Sequence, residues 1–499
     1  MLTRLKVTGF KNLVGVDVRF GPFTCIAGAN GVGKSNLFDA ITFLSVAADR
    51  QLVDAARSVR DETGRASDIR SLFHHFGDYY APEMRFETEM IVPRHGIDDL
   101  GQNAKASITF LKYSLALGYR DGESNVFGSL EILHEELVHI NLGEAIDSLR
   151  FQHAVSWRKS AVTGRRTSPF ISTEGEGAGR VIKLHQDGRQ GRPLSRSAEN
   201  LPRTVISATN AAESPTALVA RNEMRSWRLL HLEPLSLRRS DDLSAPNKLG
   251  MDGAHLASSL YHLANAGGRD GKEGSHDATA SWVYAQVANR LSLLIDDVRG
   301  LGVDRDEKRE LLTLWVAGRD GTRHAARALS DGTLRFLALA TLEQDSESVG
   351  LLCLEEPENG IHPARIPAML RLLRDIATDP DEEVGAENPL RQVIVNTHSP
   401  SVVLQAPEDS LVVAQPAEQV RGYARYKAVA FNGLAGTWRQ RKADGQGISL
   451  GDLLAYLNPT AVQDEPHGLN GNALAVNTRR VIDRQDIIQL QLIPHSMHA

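Results

Sequence analysis

Apolar and polar residues alternate over residues 2–26, with Leu5, Val7 and Phe10 followed by Val14, Val16, Val18 and Phe20, and this period of two predicts two strands. A continuous β-type run, Phe23-Thr24-Cys25-Ile26, follows. Beyond a glycine-rich turn, Leu37, Ile41, Leu44 and Ala48 recur at helical spacing. From 50 to 82 the pattern blurs into a polar segment ending in His74-His75-Phe76-Gly77-Asp78. Residues 84–92 and 106–119 again read as strands, and between 112 and 203 several short strands are joined by polar, glycine-rich connections. Helices are predicted over 254–263 and 279–296, on either side of a glycine-rich break at 267–274. A strand over 310–316, a helix marked by Leu334, Leu337, Ala338 and Leu342, a buried strand over 351–354, a helix over 364–377 and a buried strand over 393–395 complete the pattern. Short apolar strands alternating with helices imply an α/β core with parallel strands. The last 80 residues are mixed and place no element.

These shifts divide the chain into 1–111, a β-rich insertion at 112–203, a mixed segment with a helical insertion at 204–309, a second half of the core at 310–415, and a segment of unassigned role at 416–499. The 41% hydrophobic and 24% charged content is that of an ordinary globular chain. The two cysteines, Cys25 and Cys353, both sit in apolar strand-like runs and read as buried small residues, not as a disulfide. The N-terminus lacks a signal-peptide core, and no apolar run approaches the roughly 20 residues of a membrane span. The expectation is a cytoplasmic protein with no membrane contact.

Gly28-Ala29-Asn30-Gly31-Val32-Gly33-Lys34-Ser35 fits G-x-x-x-x-G-K-S between a strand and a helix, the context in which this motif is a P-loop. Glycines turn backbone N–H groups inward, and the helix N-terminus adds its positive end. Asn30, Gly31, Val32, Gly33, Lys34, Ser35 and Asn36 are therefore candidates for holding ATP, with Lys34 bridging the outer phosphates and the Ser35 hydroxyl ligating Mg²⁺. Leu351-Leu352-Cys353-Leu354-Glu355-Glu356 is an apolar strand ending in two acids; Glu355 suits the Mg²⁺ role and Glu356 the polarisation of water. Such a pair is elsewhere a solvated strand end, and the P-loop upstream decides between the two readings. His398, after the strand 393–395, is placed to report on the γ-phosphate. Ser330 and Gly332, in Leu329-Ser330-Asp331-Gly332-Thr333, open a helix some twenty residues before the acidic strand; the same residues also make a plain helix cap.

In this order, P-loop, LSxG-type sequence, acidic pair and histidine resemble an ABC-type ATPase, and more narrowly the RecF/SMC-like ATPases and their OLD-family relatives. The opening Leu5-Lys6-Val7-Thr8-Gly9-Phe10-Lys11-Asn12-Leu13 and the run Glu355-Glu356-Pro357-Glu358-Asn359-Gly360-Ile361-His362-Pro363 carry the narrower likeness, which covers about 1–50 and 230–405. The resemblance implies an α/β ATPase head with a β-rich and a short helical insertion and no long coiled coil. It implies a homodimer, or a higher oligomer, in which two ATP molecules are sandwiched between heads. Ser330 and Gly332 would then donate to the γ-phosphate on a partner subunit, Glu356 would be the general base and His398 the switch, with 359–362 along the seam. Glu355 stands where most ABC ATPases have Asp, and no Gln is found for the usual Mg²⁺-contacting loop.

OLD nucleases continue into a Toprim domain with a D-x-D pair; the acids after His398 contain no D-x-D. The chain thus resembles ATPase subunits of antiphage systems such as Septu, PARIS and certain retrons, which act with a separate nuclease or toxin effector. A RecF-like DNA repair clamp is the alternative. Residues 158–203 carry ten basic and four acidic side chains in a chain of net charge −6. With Trp157-Arg158-Lys159 and Trp438-Arg439-Gln440-Arg441-Lys442, they are a candidate surface for nucleic acid or an acidic protein, or simply solvated loops.

Overall fold

A computed structural model of the chain describes residues 1–59, 68–121, 128–188, 191–266, 276–347, 349–421, 424–440, 447–449 and 451–453. They belong to one unit, Met1–Leu457; a second, Asn458–Ala499, lies outside the described residues. The expected break at 267–274, and Arg189, Arg441 and Lys442, also lie outside them.

The strand Phe23–Ala27 is buried at all five positions and sits inside a six-stranded sheet. Its order is Arg228–Leu230, Gly350–Glu355, Arg391–Thr397, Phe23–Ala27, Leu411–Arg421, Ala424–Gly433. All neighbours are parallel except the last pair, which forms a hairpin. The sheet is buried on both sides, as parallel sheets require. Ile26, Leu351, Cys353, Ile394 and Val412 face one core, and Cys25, Leu352, Leu354, Val393 and Val395 face the other. On the first side lies the helix Lys34–Ala47, whose Leu37, Phe38, Ile41, Phe43 and Leu44 are buried between this sheet and a second one. On the second side lie the helices Leu256–Ala266, His276–Ser292, Asp331–Gln344 and Ile366–Ile376, with a small antiparallel sheet of Asp241–Asp242, Val298–Asp306, Leu311–Gly318 and Arg323–Ala325.

The second large sheet is antiparallel and eight-stranded, and it corrects the division of the chain. Phe110–Arg120 pairs on one side with Glu83–Ile91, beyond which come Leu2–Thr8 and Val16–Arg19. On its other side come Ser129–His139, Ile171–Glu174, Val181–Leu184 and Leu194–Ser197. The expected boundary at 111/112 therefore falls inside a strand, and 112–203 extends the sheet that the first residues begin. The boundary at 309/310 falls in the turn between two paired strands, and that at 415/416 inside Leu411–Arg421. The segment 112–203 also holds two short helices, Leu142–Ser148 and Val155–Ala161. Both cysteines are free and buried. The two insertion helices span 11 and 17 residues, too short for a long coiled coil. Among the described residues no helix is long and apolar enough to cross a membrane.

The tryptophans of the two aromatic–basic motifs are not exposed rings. Trp157 has no exposure and packs against Phe151, with Met1, Ile91 and Phe110 in the same core. Trp438 lies half-buried near Phe151, and its neighbour Arg439 is drawn inside, donating to Asp409 O at 2.9 Å, Thr24 Oγ1 at 3.0 Å and Arg19 O. Burial pushes the Arg439 guanidinium down to about 9. In the basic stretch, Arg166 clasps the carbonyls of Gln186 and Asp187 at 2.8 and 2.9 Å and covers the Phe170 ring; Arg180 pairs with Glu131 and Lys183 with Glu174. Arg165, Arg192 and Arg196 are exposed.

Candidate functional site

The chain leaves the buried strand Phe23–Ala27 and enters the helix at Lys34 through Gly33, whose φ of 110° only glycine adopts easily. A Cβ there would lie 2.2 Å from the Asn12 amide. That closeness is used: Asn12 Nδ2 donates to Val32 O at 3.1 Å, and Asn36 Nδ2 donates to Asn12 Oδ1 at 2.8 Å, so the loop 9–13 braces the P-loop from below. Lys11, beside it, pairs with Asp39 on the same helix at 2.8 Å. The Val32 side chain packs against the core, and of this residue only the backbone is offered to a ligand.

A cleft of about 520 Å³ opens above this helix start, walled on the P-loop side by Asn30, Gly31, Gly33, Lys34, Ser35 and Asn36. Lys34 is buried, and Nζ donates to Gly28 O at 2.6 Å and Ala29 O at 2.8 Å, leaving one N–H for the cleft. Burial lowers its ammonium pKa, opposed by the carboxylates of Glu356, Glu355 and Glu358. The opposite wall is the end of the strand Gly350–Glu355, with Glu355, Glu356, Asn359 and Asn396.

Asn396, one strand over, donates through Nδ2 to Glu355 Oε1 at 3.3 Å. Glu356 turns the chain with a φ of 47°, a left-handed conformation that costs a non-glycine residue energy, and its N–H donates to Asn396 O at 3.0 Å. Its carboxylate has two partners: His398 Nδ1 lies 2.6 Å from Oε1, and Asn359 Nδ2 donates to Oε2 at 2.9 Å. His398 thus reaches the cleft through Glu356. Beneath them Glu358 is buried and accepts from Thr397 Oγ1; burial raises its pKa.

Ser35 and Glu355 face the same cleft and supply the hard oxygen donors that Mg²⁺ takes. Among the described residues no group of three or more His, Cys, Asp or Glu is placed to hold a metal, so a cation here needs phosphate and water oxygens as well.

Ser330 and Gly332 do not line the cleft. Ser330 is exposed and caps the helix Asp331–Gln344, its Oγ accepting from Thr333 N at 3.2 Å. Gly332 is buried against the turn that follows the acidic pair, where an added Cβ would lie 2.1 Å from Gly360 O. Asn359 and His362 on that turn are exposed.

Two groups in the cleft carried no sequence signal. His231 follows the edge strand Arg228–Leu230 and lines the cleft, with Nδ1 3.9 Å from Glu355 Oε2. Arg335 projects from the helix Asp331–Gln344.

Residues 23–404 match the family described as "AAA domain, putative AbiEii toxin, Type IV TA system". Short stretches resemble DNA replication and repair protein RecF. One is 44% identical over 46 residues to that of Porphyromonas gingivalis, covering 9% of this chain and 13% of that one. Another is 36% identical over 66 residues to that of Paenarthrobacter aurescens, covering 13% and 16%. The chain therefore spans well under a fifth of these relatives. Among solved structures, an SMC head bound to the C-winged helix domain of ScpA is 13% identical over 86% of this chain and 97% of that one, with a TM-score of 0.43. The SMC head domain of Thermotoga maritima is 14% identical over 87% and 98%, with a TM-score of 0.36. The family match covers over three quarters of the sequence and takes in the P-loop lysine, both acids and the histidine, so the chain belongs to that AAA family.

Proposed function

We propose that the cleft binds ATP with Mg²⁺, that Glu356 polarises the attacking water, and that a working site needs two copies of the chain. The observation that carries this reading is the facing of Lys34 and Ser35 by Glu355 and Glu356 across one cleft, with His398 on the Glu356 carboxylate. Lys34 and the N–H groups at the helix start neutralise the phosphates. Ser35 and Glu355 would hold Mg²⁺, which would screen the charge that develops on the outer phosphate oxygens. Glu356 takes the proton of the water, and the contacts from His398 and Asn359 keep the carboxylate aimed.

The outer face of the γ-phosphate is then left for Ser330 and Gly332 of a second copy. Ser330 stands exposed at a helix start whose first N–H groups suit an anion. In this reading ATP closes two heads, hydrolysis opens them, and the cycle controls a separate nuclease or toxin in bacterial antiphage defence. The RecF stretches favour a second reading, a DNA repair clamp with the same two-headed cycle. In it, nucleic acid would meet the exposed Arg165, Arg192 and Arg196 of 158–203.

The test uses Ser330→Arg and Lys34→Ala. Ser330→Arg should bind ATP without hydrolysing it, and Lys34→Ala should not bind it. Mixed, they give dimers in which one site carries both lesions and the other neither, so activity should partly return. Full activity in Ser330→Arg alone rules the shared site out. Co-purification with the products of neighbouring genes then separates the two readings: a nuclease or toxin supports defence, recombination proteins support repair.

A further inference from the structure

Arg335 sits one helical turn and a half beyond Ser330 and lines the nucleotide cleft of its own chain. Its guanidinium is held by neutral groups: Nε donates to Leu232 O at 3.1 Å and Nη1 to Asn359 O at 3.0 Å. Among the described residues no carboxylate lies within ion-pair distance of it. By contrast Arg238, which meets the same helix, is paired with Asp331 at 2.5 Å. A guanidinium has five N–H donors, so up to three remain after the two carbonyls are served. A half-buried cation aimed into a cleft, fixed by carbonyls and lacking a counter-charge, is arranged for an anion that comes from outside.

Which part of the anion it meets follows from Asn359. The carbonyl of Asn359 holds Arg335, and its side-chain amide holds Glu356. The cation and the carboxylate read as general base are thus fixed by two ends of one residue, on the wall opposite Lys34. The inner phosphates belong to the P-loop side, and the Asn359 side is where water must attack. We propose that Arg335 contacts the γ-phosphate of the nucleotide bound in its own chain, so that this cleft distinguishes a nucleoside triphosphate from a diphosphate. The proposal rests on the ATPase reading of the cleft. It also gives that contact a mechanical outlet, because Arg335 and the Ser330 cap are on one helix: a phosphate that draws on Arg335 pulls on the element that faces the second copy.

The test is calorimetric titration of the whole chain and of Arg335→Gln with ADP and with the non-hydrolysable β,γ-imido analogue of ATP, both with Mg²⁺. Glutamine can still donate to one carbonyl but carries no charge. The triphosphate analogue should lose about 10- to 100-fold in affinity, the range for a charge-assisted contact, while ADP stays within about twofold. Arg335→Lys, which keeps a cation, should fall between. Equal losses for both nucleotides, or no loss for either in a variant with an unchanged melting curve, overturn the proposal. If Arg335→Gln does not fold, the same comparison in Arg335→Lys decides it. A parent chain that binds neither nucleotide fails at the ATPase reading itself and takes the proposal with it.

Discussion

Replacing Gly332 by alanine separates the packing of the LSxG-type turn from its chemistry, because alanine keeps the backbone N–H. The new Cβ would lie 2.1 Å from Gly360 O and 2.7 Å from its carbonyl carbon, where ordinary contact begins at 3.4 Å. Both neighbours are backbone, so no side chain can swing aside; the turn must retreat by more than about 1 Å. The turn is not free to do so: Asn359 N donates to Glu356 O at 3.0 Å, Ile361 N to Glu358 O at 2.9 Å, and Gly360 already has a φ of 81°. Overpacking of this kind costs about 1–3 kcal/mol. Against it, alanine in place of glycine stabilises a helix by up to about 1 kcal/mol, and less in a first turn. The clash wins, and the net loss should be about 1–2 kcal/mol. Asn359 is then displaced from Glu356, and losing that charge-assisted bond, about 1.5 kcal/mol, should slow turnover roughly tenfold. ADP affinity should hold, since no P-loop residue moves. Urea unfolding, nucleotide titration and steady-state turnover measure the three. Stability within about 0.5 kcal/mol of the parent together with full turnover would refute the reasoning.

Glu356→Gln keeps the shape of the side chain and removes the base, so ATP should bind and turnover should drop by about 10²–10⁴-fold; Glu355→Gln should instead raise the Mg²⁺ concentration needed for half-maximal turnover, and the reverse pattern means the two acids are assigned the wrong way round. Glu135 makes a pH prediction. It has no exposure, accepts from Val205 N at 2.7 Å and Ile206 N at 2.8 Å, and burial pushes its carboxyl up to about 7. The folded chain therefore holds this proton more tightly than the unfolded one, whose pKa is near 4.3. Stability should fall as pH rises from about 4.5 to 7, by on the order of 3 kcal/mol, and level off above. Glu135→Gln should lack that slope in unfolding midpoints taken at pH 5 and pH 8; an unchanged slope assigns it to other groups.

The cleft was legible because its parts are contiguous words in the chain: Gly28 to Ser35, Leu351 to Glu356 and Val393 to His398 each carry strand, turn and chemistry together. The partners of those words were not. Alternation tells which face of a strand is buried but not which strand lies beside it, so the strands of 112–203 read as a separate unit, whereas Phe110–Arg120 in fact lies against Glu83–Ile91. Val298–Asp306 was missed because glycines and charges interrupt its alternation. Trp157 and Trp438 read as surface rings because cations follow them; in three dimensions both pack towards Phe151. Arg335 was silent because its geometry depends on carbonyls of Leu232 and Asn359, from two other elements.

The place of Phe23–Ala27 in its sheet bears on how the protein is made. Phe23 pairs with Val393 on one side, and Cys25 with Leu411 on the other. A ribosome adds about 5–20 residues per second, so the strand that carries the P-loop is synthesised roughly 20–75 s before either neighbour exists. Until then the N–H and C=O groups along its edges have no native partner and invite chaperones or wrong pairings. A message cut short before residue 391 would yield a chain bearing the whole phosphate motif on a strand without either of its sheet neighbours. Synthesis to near residue 413 is thus a built-in checkpoint: no nascent fragment can acquire the nucleotide cycle ahead of the complete head.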